Sequence, residues 1–141
     1  MGKNQRIFVN APNTLRDLYL ETRSDLDYLV FEGERFTFDH VYHLASAFAT
    51  AMVEHYGIKP GDRVAISMRN YPEWVIAFFA TTSIGAIAVS LNAQWGVSDL
   101  SFALKDCSPS LGLVDHERLD LISAIDRVPQ DMSIIRIRSN A

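Results

Sequence analysis

From Arg63 onward, short apolar runs recur at nearly even intervals, and that regularity narrows the folds open to this chain more than any other feature. The runs RVAISM, AIAVSL, SLGLVD and SIIRIR start at Arg63, Ala86, Ser110 and Ser133, spaced 23, 24 and 23 residues apart. Between them lie PEWVIAFFATTSIG, SDLSFALKDC and ERLDLISAID, which read as helices. Parallel strands can be joined only by crossovers of about this length, usually helical and right-handed. The units share no side-chain motif, so they are not solenoid repeats. The runs are apolar at successive positions, as strands covered on both faces require. The sequence therefore predicts an α/β fold, a mostly parallel sheet with helices on both faces.

The residues before Arg63 follow other rules. TLRDLYLETRSD, residues 14–25, sets Leu15, Leu18 and Tyr19 on one helical face. LVFEGERFTF then reads as an N-terminal β-hairpin whose tight turn takes positive φ at Gly33. A long helix starts at Thr37, with Val41, Leu44, Ala45, Phe48 and Met52 on one stripe and Asp39 in the first turn. Gly57 ends it in a left-handed cap with Ile58 as the hydrophobic partner, and Pro60-Gly61 turns the chain into the first parallel strand. The hairpin and first helices are expected at one edge of the sheet. Further on, Asn70 and Glu73 flank Pro72 in a capping pattern, and Gly85 is expected to end that helix with positive φ. Residues 1–141 thus read as a single partial domain, with the helix and hairpin in 1–36 and the long helix and strand–helix units in 37–141.

A chain of 141 residues can bury roughly 70% of the surface its unfolded form exposes. With 48% hydrophobic and 21% charged residues it is too apolar for a disordered tail. The net charge of −4 is spread out, with no basic stretch to track phosphates, which argues against nucleic acid as a partner. Cys107 is the sole cysteine, so no internal disulfide forms, and a reducing, cytoplasmic setting is expected. The start, MGKNQRIFVNAP, has no apolar stretch of signal-peptide length. Trp74 to Leu91 runs 18 residues without a charge, but Thr81, Thr82, Ser83 and Gly85 interrupt it and its second half is β-branched, so no transmembrane segment is expected.

Chemistry is sparse in the residues themselves. The glycines never form G-x-G-x-x-G, so no phosphate-cradling turn can be read. His40 and His43 lie three apart beside Asp39, a spacing that fits a solvated or half-buried helix face better than a metal pair. His55 and His116 have no evident partner. Cys107, next to Lys105 and Asp106 at a helix end, reads as a small packing residue rather than a nucleophile. Asp62 and Arg63 stand where they pair or cap the turn into the strand. Trp74, Phe78 and Phe79 read as core aromatics, Phe79 being also placed to line an apolar pocket in a larger assembly. No catalytic residue and no metal ligand is assigned.

The ordered stretch GIKPGDRVAISMRNYPEWVIAFFATTSIGAIAVSLNAQW resembles the N-terminal domain of the acyl-adenylate-forming, AMP-binding superfamily. Upstream, RFTFDHVYHLASAFATAMVEHYGI is similar to that family's entry into a long Ala-rich helix, and downstream LSFALKDCSPSLGLVD is similar to its next helix and strand. The resemblance runs from about Pro12 to Asp126, and SLNAQW at 90–95 is most like bacterial fatty-acyl-CoA synthetases, with Ser90 where many relatives carry Pro. It implies a parent acyl-CoA ligase that joins a carboxylic acid to CoA through an acyl-adenylate, using ATP, Mg²⁺ and CoA. The family's phosphate loop, its Tyr-Gly-x-Thr-Glu segment, its ribose-binding Asp and its catalytic Lys match nothing in residues 1–141. The chain alone is therefore expected to be inactive and to hold none of those cofactors. On the CoA side the resemblance points to Asn92 and Arg118, although Arg118 is offset from the relatives' position, so that a surface salt bridge is the preferred reading of it.

Three functions are thus in play: an N-terminal fragment of a fatty-acyl-CoA ligase, a stand-alone non-catalytic binding or scaffolding module, and a small enzyme of another kind. The first is preferred because ordered local sequence backs the fold analogy. An unpaired strand edge would also favour self-association of the fragment, most simply as a homodimer.

Overall fold

The computed structural model describes residues 8–138. Helix α1 (Leu15–Glu21) is shorter than the sequence predicts, and is opened by a reciprocal cap in which Thr14 and Asp17 each accept the other's backbone N–H at 3.1 Å. Only Tyr19 of the predicted face is buried; Leu15 and Leu18 are exposed. Tyr19 stacks on Phe79 and its hydroxyl lies 3.1 Å from that of Thr82.

Strands β1 (Asp27–Phe31) and β2 (Glu34–Thr37) form the expected hairpin. Its two-residue turn puts positive φ on Glu32, at 52°, and not on Gly33. A two-residue loop of this hand needs the left-handed residue first, and the glycine stands second. The hairpin is a sheet of its own, hydrogen-bonded to neither edge of the parallel sheet. It packs by aromatic contact on the helices, through Tyr28 on Phe38 and Phe79 and through Phe31 edge-on to Tyr71.

Helix α2 (Phe38–Tyr56) begins with Thr37 Oγ1 accepting the His40 N–H at 3.1 Å. It ends at Gly57, φ 65°, where the Ile58 N–H reaches back to the Met52 carbonyl and the Ile58 side chain is buried. The Pro60-Gly61 turn follows, with Asp62 Oδ2 accepting the Lys59 N–H at 2.8 Å. Then come β3 (Arg63–Ser67), α3 (Pro72–Ser83), β4 (Ile87–Ser90), α4 (Val97–Cys107), β5 (Leu111–Val114), α5 (His116–Ser123) and β6 (Ser133–Arg136).

The four later strands form one parallel sheet in the order β4-β3-β5-β6. Side-chain alternation divides the core. Val64, Ile66, Met68, Leu111 and Leu113 face α2 and α3, whereas Ala65 and Val114 face Leu100 and Leu104 of α4 and Ile122 of α5. Such a split follows when the chain steps out from β3 to β4, then back past β3 to β5, by crossovers of one hand. The interior strands are buried on both faces; the edge strands expose Ile87 and Ile134.

The start of α3 differs from the capping pattern read in the sequence. Tyr71 is the N-cap and no side chain bonds the helix N-terminus. Proline at the first helical position forces the residue before it into extended backbone, so the cap falls on Tyr71 and Asn70 lies one residue too early. Glu73 instead receives the guanidinium of Arg138 at 2.9 and 3.0 Å. Gly85 behaves as expected, with φ 76°. Among the described residues no helix is long and apolar enough to cross a membrane.

Candidate functional site

In an open parallel sheet, ligands gather outside the carboxyl ends of the strands, where neighbouring strands send their connections to opposite faces. In the order β4-β3-β5-β6 that place is the gap between β3 and β5. Among the described residues the only ion pair buried on both sides lies there. Asp115 follows the last residue of β5 and, with Arg118, is about 5% exposed.

The Asp115 carboxylate gathers three donors. Oδ1 accepts the Arg118 backbone N–H at 3.0 Å and caps α5, while Oδ2 accepts the Arg69 backbone N–H at 2.9 Å and ties down the end of β3. Arg118 Nη1 donates to Oδ2 at 3.0 Å and to Glu117 Oε2 at 2.8 Å. The other side of the guanidinium crosses to the β4–α4 connection, with Nε donating to the Ala93 carbonyl at 3.0 Å and Nη2 to the same oxygen. Glu117 also accepts from Arg69 at 2.9 Å on both oxygens, which pushes the Arg69 guanidinium pKa up.

Beside this cluster, at the ends of β3 and β4, lies an open groove of about 630 Å³ walled by Arg69, Asn70, Trp74, Asn92, Gln94 and Trp95. Both tryptophans of the chain face it. Asn92 is exposed, and its Oδ1 accepts the Gln94 N–H at 2.9 Å. The two sequence-derived candidates are thus brought together through the Ala93 carbonyl. A surface salt bridge for Arg118 is corrected by the structure, since the side chain is buried and ties the start of α5 to the β4–α4 connection. Sequence reasoning also passed over Asp115. Its signal was present, as an Asp between an apolar strand and a helix with Arg three positions on. Two guanidinium groups face two carboxylates here, so the cluster holds loops in place without surplus positive charge for phosphate.

The remaining candidates lie elsewhere. His43 Nε2 stands 3.3 Å from Asp39 Oδ2 and from Arg23, and His40 tilts against Phe36. The hydrogen bond from Arg23 holds the Asp39 carboxyl below its usual pKa. Burial pushes the Cys107 thiol up, the opposite of activation. Phe79 stacks on Tyr19 and is tilted against Tyr28, within the aromatic layer. Among the described residues no group of three or more His, Cys, Asp or Glu is placed to hold a metal ion.

The sequence profile described as AMP-binding enzyme matches residues 19–140. The chain belongs to that family. Among family members, the 2-succinylbenzoate–CoA ligase of Bacillus velezensis is 36% identical over 87 residues, 62% of this chain and 18% of that protein. The long-chain fatty acid transport protein 6 of Mus musculus is 27% identical over 72% of this chain and 16% of its own length. The crystal structure of an anthranilate CoA ligase in complex with anthranoyl-AMP superposes with a TM-score of 0.82 at 26% identity, covering 88% of this chain and 25% of that one. A Mycobacterium tuberculosis fatty acyl CoA synthetase gives a TM-score of 0.67 at 28% identity over 75% of this chain and 22% of the other. The chain spans under a fifth of the length of these curated relatives. These likenesses agree with the predicted α/β class and with the N-terminal part of an acyl- or aryl-CoA ligase.

Proposed function

We propose that these residues are the opening part of the N-terminal domain of a cytoplasmic, ATP-dependent acyl-CoA ligase, whose whole reaction turns a carboxylic acid, ATP and CoA into acyl-CoA, AMP and pyrophosphate. The family match over residues 19–140 carries the reading, together with relatives named as CoA ligases. The SLNAQW segment and the relatives named for fatty acids favour a fatty acid as the carboxylate.

On this reading the described residues supply the scaffold and one wall of a CoA-side groove, and the phosphate chemistry belongs to residues that match nothing here. Asn92, exposed on the groove, can meet the ligand directly. Arg118 is buried, so its part is indirect. The chain by itself is a fragment without activity, and its edge strands, with Ile87 and Ile134 exposed, favour pairing with a second copy.

The test is carboxylate-dependent exchange of pyrophosphate into ATP. The protein expressed from its whole reading frame is expected to exchange and to form acyl-CoA, and the 141-residue chain to remain at background. Clear exchange by the short chain would sink the fragment reading. Its absence from the longer protein would favour a binding module. Light scattering on the short chain over a dilution series is expected to show a dimer, and a monomer at every concentration would remove self-association from this account.

A further inference from the structure

We propose that Arg118 is a positioning residue: fixed by Asp115 and Glu117, it holds the Ala93 carbonyl and thereby sets segment 92–95, the wall of the groove. The inference rests on the ligase reading for what the groove binds, but its structural half stands on this chain's own residues.

A guanidinium has five N–H donors. In Arg118 both Nη1 protons are taken by Asp115 and Glu117, and Nε and one Nη2 proton go to Ala93. At most one donor is left, on a side chain about 6% exposed. Such a group has little to offer a ligand directly. It has a great deal of leverage on the loop, because the Ala93 carbonyl receives two converging donors from a rigid plane. Neighbouring backbone groups depend on that anchor. The Gln94 N–H donates to Asn92 Oδ1 at 2.9 Å and the Trp95 N–H to the Asn92 carbonyl at 3.2 Å, so the turn presenting Asn92, Gln94 and Trp95 folds around a fixed neighbour. Asp115 extends the same control to β3, since it also holds the Arg69 N–H at 2.9 Å. One buried pair therefore sets the relative placement of the β3, β4 and β5 connections. Held geometry of this kind matters to binding and rate even when the residue touches nothing that reacts.

Hydrogen exchange read by mass spectrometry tests the structural half without any need for activity. With Arg118→Met, peptides spanning residues 91–97 are expected to exchange on the order of tenfold faster, and peptides from β3 much less so. The double variant Asp115→Asn with Arg118→Met avoids a lone buried carboxylate and is expected to loosen 91–97 as well; because it also costs Asp115 one acceptor, the contrast with β3 is read from the single variant. Equal acceleration in both regions, or none at 91–97, would overturn the assignment. In the protein expressed from its whole reading frame, Arg118→Met is expected to raise KM for CoA about tenfold while kcat and KM for ATP change less than about twofold, with Arg118→Lys in between. A loosened segment with an unchanged KM for CoA would overturn the positioning role. If the wild-type protein shows no CoA-dependent turnover, the ligase reading fails, and the exchange result alone decides whether Arg118 holds the loop.

Discussion

At the amino ends of the parallel strands the chain is fitted backbone against backbone, whereas at the carboxyl ends buried charged side chains bind the connections together. On the amino side the Gly61 N–H donates to the Gly85 carbonyl at 2.8 Å, and the Ile87 N–H to the Asp62 carbonyl at 2.8 Å. A Cβ on Gly85 would stand 3.3 Å from that of Pro60. On the carboxyl side Asp115 and Arg118 reach across three connections, next to an open groove. The first arrangement fits Gly85 closely against Pro60 and uses residues whose merit is shape. The second spends buried charge, which is costly to desolvate and is a weak source of stability against a well-packed apolar core. What it gives is definite geometry at the end of the sheet where ligands of open parallel sheets gather.

The largest effect should come from breaking the carboxyl-side device at its centre. Asp115→Ala removes the α5 cap, the acceptor for the Arg69 N–H and the partner of Arg118 together, leaving a buried guanidinium short of a counter-charge. A loss of about 3–5 kcal/mol is expected in urea unfolding, and a change under about 1 kcal/mol would mean that water reaches the pair freely. On the amino side, Gly85→Val meets both a φ of 76° and the Pro60 ring, and is expected to cost about 1–3 kcal/mol. An unaltered midpoint would show that the turn gives way easily and that the contrast between the two ends is overdrawn.

A smaller effect is expected from alkaline pH. Burial raises the pKa of Cys107, at the helix end leading into β5, and of Tyr19 and Tyr28 in the aromatic layer over α3. Each folded pKa lies above its unfolded value, so the stability these groups confer is complete below the unfolded pKa and is lost as pH rises through the folded one. Urea midpoints should therefore hold steady up to pH about 8 and fall from about pH 9 to 11, across the ordinary thiol and phenol range. A flat profile would place these groups in contact with solvent.

The two ends also differ in how far the sequence revealed them. Pro60-Gly61, Gly57 and Gly85 announce their turns because few residues can adopt such backbone, and the spacing of the apolar runs placed all four parallel strands. The hairpin turn went the other way, with Glu32 taking the left-handed conformation, because loop length fixed which position needed it. At the carboxyl side no local pattern marks that Arg118 will reach Ala93, 25 positions earlier in the chain. That contact exists only because β4 and β5 flank β3, a fact of topology. Asn92 was reached through family resemblance, and Asp115 was visible only as an acid at a strand end. The groove itself has no sequence signature, being the space left between two connections.

Asn70→Ala is expected to have the smallest effect on stability and to sharpen the comparison most cleanly. As a cap, Asn70 would lose about 0.5–2 kcal/mol on truncation. In the structure the cap position belongs to Tyr71, no side chain bonds the start of α3, and Asn70 is exposed on the wall of the groove. Its removal should therefore shift unfolding by less than about 0.5 kcal/mol. Glu73, the other half of the capping pattern, is held by Arg138 and offers no compensation that would hide a lost cap. A loss above 1 kcal/mol would restore the cap and move Asn70 from the groove's lining to the fold's supports. A neutral result would leave it as an exposed amide at the carboxyl end, on the wall of the groove that Trp74 and Trp95 also line.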